Sequence, residues 1–270
     1  MADENVLITG ASSGIGLELS RLFAAAGSDL VLVARREDKL NELADELRAD
    51  HDVTVRVLPA DLSQPAAAVA IYEVLHGTGI DVDILVNNAG FGARGPVAEL
   101  SIARQMQMMQ LNMTTLVELT RRLLPGMIHR DWGGILNIAS TAAFQPGPYM
   151  AVYYASKAFV LSFTEGLAGE LAETSVNVTC LAPGPVATGF GAIAGVDESL
   201  LFKAGVLDAG KVAWAGYRGL RRGKVLVVPG LRNKFIVAAT RVVPRAWVRK
   251  AVATIQRPRP STTESEGSDQ

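Results

Sequence analysis

The chain has 270 residues, of which 49% are hydrophobic, and a formal net charge of −1. It is long enough to bury a sizeable core as one α/β domain. A single cysteine, Cys180, excludes a disulfide framework. Because it lies in the apolar run 176–181, it is predicted to be a buried small residue. His51, His76 and His129 are scattered without ligand spacing, so no metal site is expected. With no leader-like segment and no run of 18 apolar residues, a cytoplasmic protein is the expectation.

The charged residues are distributed unevenly along the chain. Residues 211–259 contain 13 Lys or Arg and no Asp or Glu, whereas residues 1–210 contain 13 bases and 24 acids. A body near −11 is therefore followed by a segment near +13. Such an asymmetry indicates an interaction with an anionic partner, although a solvated basic face packed on the domain would give the same count.

The first predicted element is a short apolar strand, 5–9, that runs into a glycine-rich turn and then a helix. Strand, glycine turn and helix form the context that a dinucleotide-binding fingerprint requires. The glycines allow close backbone approach, and the helix N-terminus offers unpaired N–H groups to a pyrophosphate. The residues expected to bind a cofactor here are Gly10, Ser12, Ser13, Gly14, Ile15 and Gly16.

The residues after the second strand, 29–33, bear on the choice of cofactor. Sites that prefer NAD place a carboxylate at this strand end, whereas arginine accommodates the 2′-phosphate of NADP. Here the strand is followed by Ala34, Arg35 and Arg36. The forked guanidinium suits a phosphate dianion. The sequence therefore predicts NADP, and the structural alternative is a pair of surface charges at the start of a helix.

The middle of the chain continues the alternation of helices and strands. We expect helices over 39–49, through 69–75 and over about 102–129, and strands over 53–58 and 84–86. The third strand is followed by Asp61 and Leu62, placed to meet an adenine ring, and the fourth by Asn87, Asn88, Ala89 and Gly90. The long helix carries Asn112 within an otherwise apolar face.

The chemical centre of the sequence lies between Ser140 and Lys157. Ser140 ends an apolar run that is typical of a buried strand. Tyr153 and Lys157 are four residues apart in a helix predicted from about 149 to 172, so they share one face. An ammonium beside a phenol favours the phenolate, which predicts a lowered pKa for Tyr153. Tyr154 is the competing tyrosine, but it lies three residues from Lys157 and points elsewhere.

The last third of the chain adds a strand over 176–181, the sequence 182–188, a glycine-rich flap over 189–207, a basic helix over 211–222 and a strand over 225–228. Strands alternating with helices predict a doubly wound parallel sheet in a three-layer α/β/α Rossmann fold, with a basic helical C-terminal extension. We expect a single catalytic domain over 1–229, a basic amphipathic extension over 230–256 and a disordered tail over 257–270.

Taken in order, these motifs resemble the single-domain branch of the short-chain dehydrogenase/reductase family. The resemblance covers roughly 6–229, and Ser140 precedes Tyr153 by 13 positions, as the family pattern requires. The glycine spacing argues against the longer branch, which modifies sugar nucleotides. The matching residues are Thr9, Gly10, Gly14, Gly16, Asp61, Leu62, 87–90, Asn112, Ser140, Tyr153, Lys157, Pro183, Gly184, Val186 and Thr188.

The resemblance implies a catalytic tetrad of Asn112, Ser140, Tyr153 and Lys157. Tyr153 would donate a proton to the carbonyl oxygen in reduction, or accept one in oxidation. Lys157 would lower the tyrosine pKa and hold the nicotinamide ribose. Ser140 would orient the substrate oxygen, and Asn112 would hold a water linked to Lys157. Hydride would pass between the nicotinamide and the substrate carbon.

The resemblance also implies which residues surround the nicotinamide and the substrate. Thr188 and the backbone of Val186 would bind the carboxamide, with Pro183 and Gly184 beside them. The substrate pocket is expected to be apolar apart from one glutamine, and to be lined by Phe91, Phe144, Gln145, Tyr149 and Phe190. A hydrophobic carbonyl compound or alcohol is the expected substrate.

Three functions follow from this reading. The leading one is an NADP(H)-dependent oxidoreductase, a carbonyl reductase that interconverts a carbonyl and a secondary alcohol on a hydrophobic substrate. The second is a reductase of long-chain acyl or other lipid carbonyls at a membrane surface. The third is a non-catalytic NADP sensor, but such proteins usually lack the tyrosine or the lysine, and both are present. The family often pairs the helices of Asn112 and Tyr153 into homodimers or homotetramers, contacts that this C-terminus could cover or replace.

The basic extension, 230–256, mixes Lys and Arg with hydrophobic residues that include Trp247, and Pro244 would break it into two short helices. Such a segment is typical of one that lies in the headgroup plane of an anionic membrane, here the inner face. The alternative is a basic face packed on the domain. Nucleic acid is not expected, because no reading motif or aromatic platform accompanies the charge.

Overall fold

The computed structural model describes residues 4–195 and 206–257. Its centre is a seven-stranded parallel sheet with the strand order β3-β2-β1-β4-β5-β6-β7. The strands are β1 (Asn5–Thr9), β2 (Asp29–Ala34), β3 (Val55–Pro59), β4 (Ile84–Asn87), β5 (Gly133–Ile138), β6 (Val176–Leu181) and β7 (Leu226–Val227). The predicted doubly wound parallel sheet is therefore confirmed.

Helices cover both faces of the sheet. One face packs against α1 (Gly14–Ala25), α2 (Glu37–Asp50) and α8 (Ala209–Arg221), and the other against α3 (Ala67–Gly77), α5 (Thr115–His129) and α6 (Ala151–Glu170). The remaining helices are α4 (Ile102–Met109), α7 (Phe190–Ala194), α9 (Leu231–Ala239) and α10 (Arg245–Gln256). The result is the three-layer α/β/α arrangement expected from the sequence.

The apolar pattern of the strands explains these layers. Successive residues of β1 point to opposite faces, so Val6 and Ile8 join the cluster that contains Phe23 of α1. Leu7 lies between them and joins the opposite cluster with Leu75 of α3. Because both faces are covered, the strands are nearly continuous apolar runs.

The strand order reverses at β1. Val6 pairs with Leu30 of β2 on one side and with Ile84 of β4 on the other. The chain builds the sheet outward from β1 through β3, then crosses to β4 and builds in the opposite direction. Ligands of open parallel sheets bind outside the carboxyl ends of the strands at such a reversal. The glycine turn after β1 and the polar segment after β4 both lie there.

The long helix predicted over 102–129 contains an irregular turn. α4 ends at Met109, a π-helical turn covers Gln110–Thr114, and α5 begins at Thr115. Asn112 lies within this turn and is buried. A π-turn inserts an extra residue into the helix and occurs frequently at functional sites. Here it brings a polar side chain inward from an otherwise apolar face.

Several boundaries differ from the sequence prediction by one or two residues, and two of the differences lie near the site. Helix α6 begins at Ala151 rather than near Tyr149, because Tyr149 has a φ of +65°, a left-handed conformation that no α-helix contains. The predicted flap over 189–207 begins with α7, and a bridge pairs Val186 with Leu207. Residues 196–205 of the flap, and all of the predicted disordered tail except Arg257, lie outside the described residues.

The C-terminal extension forms the two short helices that Pro244 predicts, with Pro244 itself immediately before α10. Val237 of α9 and Val252 of α10 are buried against the domain. The buried amide of Asn233 donates to the Pro229 carbonyl at 2.8 Å, and a side chain at Gly184 would collide with it. Among residues 4–195 and 206–257, no helix is long and apolar enough to cross a bilayer.

Candidate active site

The glycine turn after β1 is shaped by backbone conformations that favour glycine. Gly10 and Gly14 have φ values of +67° and +58°. A side chain at Gly16 would meet the amide nitrogen of Asn88 and the carbonyl of Gly10, each at 2.4 Å, so it would require movement of the turn. The turn therefore offers a close backbone surface at the N-terminus of α1. Ser13 precedes α1 and makes no side-chain cap, which leaves the first N–H groups of the helix available to an anion.

Asn88 and Thr9 tie this turn to the end of β4. The Thr9 hydroxyl donates to the Val86 carbonyl and accepts from the backbone N–H groups of Asn88 and Ala89 at 3.0 and 3.1 Å. The Asn88 amide in turn donates to the carbonyls of Thr9 and Gly10 at 2.9 and 3.1 Å. Asn88, predicted from its position as a cofactor contact, thus also braces the turn that would hold the phosphates.

Arg35 and Arg36 stand at the carboxyl end of β2, exposed to solvent at the rim of the site. One guanidinium nitrogen of Arg36 donates to the carbonyl and the hydroxyl of Ser12, each at 3.3 Å. Burial alone would raise the pKa of Asp61, but hydrogen bonds from Ser63 and Gln64 and the positive charge of Arg35 hold it below its usual value. This corner therefore presents two guanidiniums and a hydroxyl, with an ionised carboxylate nearby.

Ser140 and Tyr153 meet at the carboxyl end of β5. The Ser140 hydroxyl accepts from the N–H of Ala142 at 3.1 Å, at the start of the 3₁₀ turn Thr141–Phe144. Burial raises the pKa of Tyr153 well above its usual value, and the hydrogen bond with Ser140 opposes that shift without overcoming it. The Tyr153 phenol is therefore protonated at neutral pH.

Lys157 lies one helical turn from Tyr153 but is held by another partner. Its ammonium donates to the carbonyl of Ile138 at 2.7 Å and is 6.0 Å from the centre of the Tyr153 ring. Burial lowers the pKa of Lys157 to about 8, so the side chain is mostly charged at pH 7. The expectation that the pKa of Tyr153 lies below its usual value is wrong for this structure, because burial raises that pKa further than the hydrogen bond with Ser140 lowers it.

Asn112 stands behind Gly90, on the same side of the site as Lys157. Its amide donates to the carbonyl of Phe91 and to the hydroxyl of Ser156, both at 3.0 Å, and accepts from the N–H of Phe91 at 3.2 Å. A side chain at Gly90 would approach both the Asn112 oxygen and the Lys157 nitrogen. The missing side chain of Gly90 thus leaves space next to both groups.

A cavity of about 530 Å³ joins these corners, and most of the predicted cofactor and catalytic residues line it. Thr188 also lies against the turn, since a side chain at Gly14 would collide with its methyl group. The predicted residues on the lining are Gly10, Ser12, Ser13, Gly14, Ile15, Arg35, Arg36, Asp61, Leu62, Asn88, Ala89, Gly90, Phe91, Ser140, Gln145, Tyr153, Lys157, Pro183, Gly184, Val186, Thr188 and Phe190.

Four predicted residues lie off the lining. Gly16 underlies the turn and Asn112 lies behind Gly90. Phe144 packs instead in a small apolar cluster with Cys180, which is fully buried as expected. Tyr149 accepts a hydrogen bond from Arg257 at 3.3 Å, outside the cavity. The structure therefore does not support Phe144 and Tyr149 as pocket residues, because the turn at Ser140 and the left-handed conformation of Tyr149 direct them elsewhere.

The cavity also has walls that the sequence reading missed. They include Arg104, Gln107 and Leu111 from α4 and the π-turn, then Met150, Tyr154 and, from the end of the C-terminal helix, Gln256. The guanidinium of Arg104 lies 4.3 Å from the centre of the Phe91 ring. No local motif marks these residues, since they reach the cavity only through tertiary packing. Among the described residues no cluster of His, Cys, Asp or Glu could hold a metal ion.

The chain belongs to the short-chain dehydrogenase/reductase family, whose short chain dehydrogenase model matches residues 4–197. Sulfoacetaldehyde reductase 2 of Chromohalobacter salexigens is 41% identical over 187 residues, which cover 68% of this chain and 73% of that protein. Two further curated relatives, a short chain dehydrogenase of Pseudocercospora fijiensis and dehydrogenase/reductase SDR family member 7B of Mus musculus, are each 36% identical. The match covers 62% and 58% of their length, so this chain spans less than two thirds of either.

Two solved structures show how far the similarity extends. A short-chain dehydrogenase from Sphingobium yanoikuyae in complex with NADPH aligns with a TM-score of 0.79 and 33% identity, over 90% of this chain and 97% of that one. A 7β-hydroxysteroid dehydrogenase aligns with a TM-score of 0.84 and 27% identity, over 93% and 96%. Both alignments reach well beyond the region matched by the family model.

The lowered pKa of Lys157 predicts a specific pH dependence of folding. Between about pH 8 and 10.5 the unfolded chain holds a proton on this amine that the folded chain has released, so the free energy of unfolding rises with pH across that window. In Lys157→Met this contribution disappears. We expect the free energy of unfolding of the wild type to rise by up to about 3 kcal/mol relative to that of the variant over this pH range. Urea unfolding of both proteins without cofactor at pH 7.5 to 10.5 measures this difference. A difference between wild type and variant that stays constant with pH would contradict the lowered pKa of Lys157.

Proposed function

We propose that the protein is an NADP(H)-dependent oxidoreductase that interconverts a carbonyl and a secondary alcohol on a hydrophobic substrate. The observation that carries this proposal is one cavity with two chemically distinct ends. At one end Arg35, Arg36 and the glycine turn suit a phosphorylated dinucleotide. At the other, Ser140, Tyr153 and Lys157 converge beside apolar walls. The family membership and the NADPH-bound Sphingobium protein support the same assignment.

The residues of this chain fit such a cofactor. The backbone of the glycine turn and the N-terminus of α1 would hold the pyrophosphate. Arg35 and Arg36, with the Ser12 hydroxyl between turn and guanidinium, would hold the 2′-phosphate. Asp61 and Leu62 would lie beside the adenine, and Val186 and Thr188 beside the carboxamide. When bound, NADP(H) supplies or accepts the hydride.

The protein's own contribution is to place and protonate the substrate oxygen. Because burial keeps the Tyr153 phenol protonated, it can donate a proton to a carbonyl oxygen during reduction. Ser140, whose hydroxyl opposes the upward shift in the pKa of the same phenol, would orient that oxygen. The Lys157 ammonium would stabilise the tyrosinate that remains and hold the ribose. Asn112 would hold a water through which the proton of Lys157 is replaced.

The walls around this centre favour an apolar substrate. Phe91, Phe190 and Met150 form a cluster with the ring of Tyr153. Phe190 lies with its ring centre 5.3 Å from that of Tyr153. Burial of a hydrophobic substrate against these side chains would supply binding free energy at about 25 cal/mol per Å² of apolar area. The proposed site is therefore suited to a bulky carbonyl compound more than to a small charged one.

Tyr153→Phe removes the proposed proton donor and keeps the packing of the ring. We expect the rate of NADPH oxidation with an activated ketone to fall at least about a hundredfold, the usual size of a general-acid contribution, with little change in cofactor affinity. Tyr72→Phe, the same change on α3 outside the cavity, is the matched control. Loss of activity in Tyr154→Phe but not in Tyr153→Phe would contradict the assignment. NADPH binding without turnover of any ketone or aldehyde would favour a sensor.

Arg35→Ala with Arg36→Ala should weaken the use of NADPH selectively. Losing charge-assisted hydrogen bonds to the 2′-phosphate costs about 1.5–3 kcal/mol. The Michaelis constant for NADPH should therefore rise more than tenfold, while that for NADH changes little. Arg56→Ala, an exposed arginine on the next strand, serves as the control. A wild type that uses both cofactors equally well would overturn the assignment.

We further propose that the extension attaches the enzyme to an anionic membrane surface, which would suit a lipid carbonyl substrate and a peripheral location on the cytoplasmic side. Four hydrophobic side chains of the extension are 70–84% exposed: Leu231, Phe235, Val242 and Trp247. Lys and Arg residues alternate with them, and residues 209–257 contain no carboxylate side chain. Each basic residue near an anionic surface adds about 1 kcal/mol of attraction.

Membrane attachment predicts salt-sensitive sedimentation with vesicles. The wild type should sediment with phosphatidylserine-containing liposomes at low salt and release as salt screens the attraction. Phe235→Ser with Trp247→Ser should weaken binding at least about tenfold, because two exposed aromatic rings that would insert into the membrane interface are lost. Phe159→Ser with Trp132→Ser makes the same changes at exposed positions elsewhere and should bind like the wild type. A wild type that stays in the supernatant would leave the extension as a basic face packed on the domain.

A further inference from the structure

The last residue of the C-terminal helix places an amide in the wall of the cavity. Gln256 is 4% exposed and lies on the cavity lining. Its NH₂ group donates to the hydroxyl of Tyr154 at 3.2 Å. Its oxygen, Oε1, is buried without a hydrogen-bond partner among the described residues. Buried side-chain oxygens are nearly always paired, so an unpaired one on a cavity wall points to a ligand group.

The backbone next to this amide is held in place from two sides. Arg94 donates to the carbonyls of Gln256 and Arg257 at 2.8 and 2.7 Å, which gives the last carbonyl of the helix a partner. On the preceding turns, Val252 and Val248 pack into the apolar cluster that contains Tyr153. These contacts hold Gln256 at the cavity wall.

The side chains around the Gln256 amide are mostly apolar. Val252, Met150 and Ala194 belong to the apolar cluster beside it, so a polar substrate group would find few other partners on this side. The rings of Tyr153 and Tyr154 meet edge to face with their centres 6.0 Å apart. In the proposed reaction the hydroxyl of Tyr153 would face the substrate carbonyl, whereas the hydroxyl of Tyr154 bonds to Gln256. The two adjacent tyrosines therefore mark two different points of the cavity.

We propose that Gln256 is a specificity-determining residue that binds a hydroxyl group on the hydrophobic substrate, away from the carbonyl that Tyr153 protonates. The proposal rests on the function proposed above and names its substrate class: a hydroxylated ketone or a diol. A hydroxyl can donate to the free oxygen. A hydroxyl fits equally well if the oxygen and nitrogen of the Gln256 amide are interchanged. The phenol of Tyr154 would then donate to the amide oxygen, and the substrate hydroxyl would accept from the NH₂ group.

The test is a comparison of matched ketones. Decalones and androstanones, each with and without one hydroxyl at successive ring positions, are titrated calorimetrically into the NADP⁺-saturated full-length protein. For at least one ring position we expect the hydroxyl to raise affinity about tenfold, as one hydrogen bond to an otherwise unpaired buried group should. Gln256→Met should remove that gain and leave the affinity for the unsubstituted ketone within about threefold.

The unsubstituted ketone also reports whether the Gln256→Met cavity is intact; if it is not, Gln256→Leu replaces it. Gln110→Met makes the same chemical change at a glutamine outside the lining and should keep the tenfold ratio. Equal affinities within every pair, binding of no ketone at all, or a ratio that survives Gln256→Met overturns the proposal. NADPH oxidation is measured separately, so discrimination without turnover would count against the proposed function alone.

Discussion

The hydrogen bonds between Thr9 and Asn88 are the constraint on which the rest of the site depends. They join the carboxyl ends of β1 and β4, the two strands at which the sheet reverses its order. Through Gly10 and Gly16 they set how closely the backbone of the turn can be approached. Through the chain that continues to Gly90 they also connect the glycine turn to the Lys157 side of the cavity. A polar pair that touches no reacting atom thereby positions both halves of the cavity.

Much of this architecture could be predicted because it is local. Apolar runs predict the strands, the glycine spacing between strand and helix predicts the turn, and four-residue spacing places Tyr153 and Lys157 on one helix face. Pro244 predicts the break between the last two helices, since proline cannot continue a helix. Each of these inferences needs only neighbours in sequence, and burial of both sheet faces then leaves few ways to assemble the elements.

What the sequence could not supply is set by contacts between distant segments. The pKa of Tyr153 depends on how completely the ring is buried. The position of the Lys157 ammonium depends on where β5 ends, because it donates to the carbonyl of Ile138 there. The left-handed conformation of Tyr149 removes it from a pocket to which its sequence position had assigned it. Gln256 follows its hydrogen-bond partner Tyr154 by 102 residues, and no periodicity or motif predicts a contact over that separation in sequence.

The match to the family model ends at residue 197, yet α10 and the carbonyls that Arg94 holds lie far beyond it. One wall of the cavity is therefore formed by a part of the chain that lies outside the match to the family model. If the proposed roles hold, mutations there would change which molecules bind without altering Ser140, Tyr153 or Lys157. Chemistry and selectivity could then diverge at separate rates in evolution, and exchange of the C-terminal helices between relatives would transfer selectivity alone.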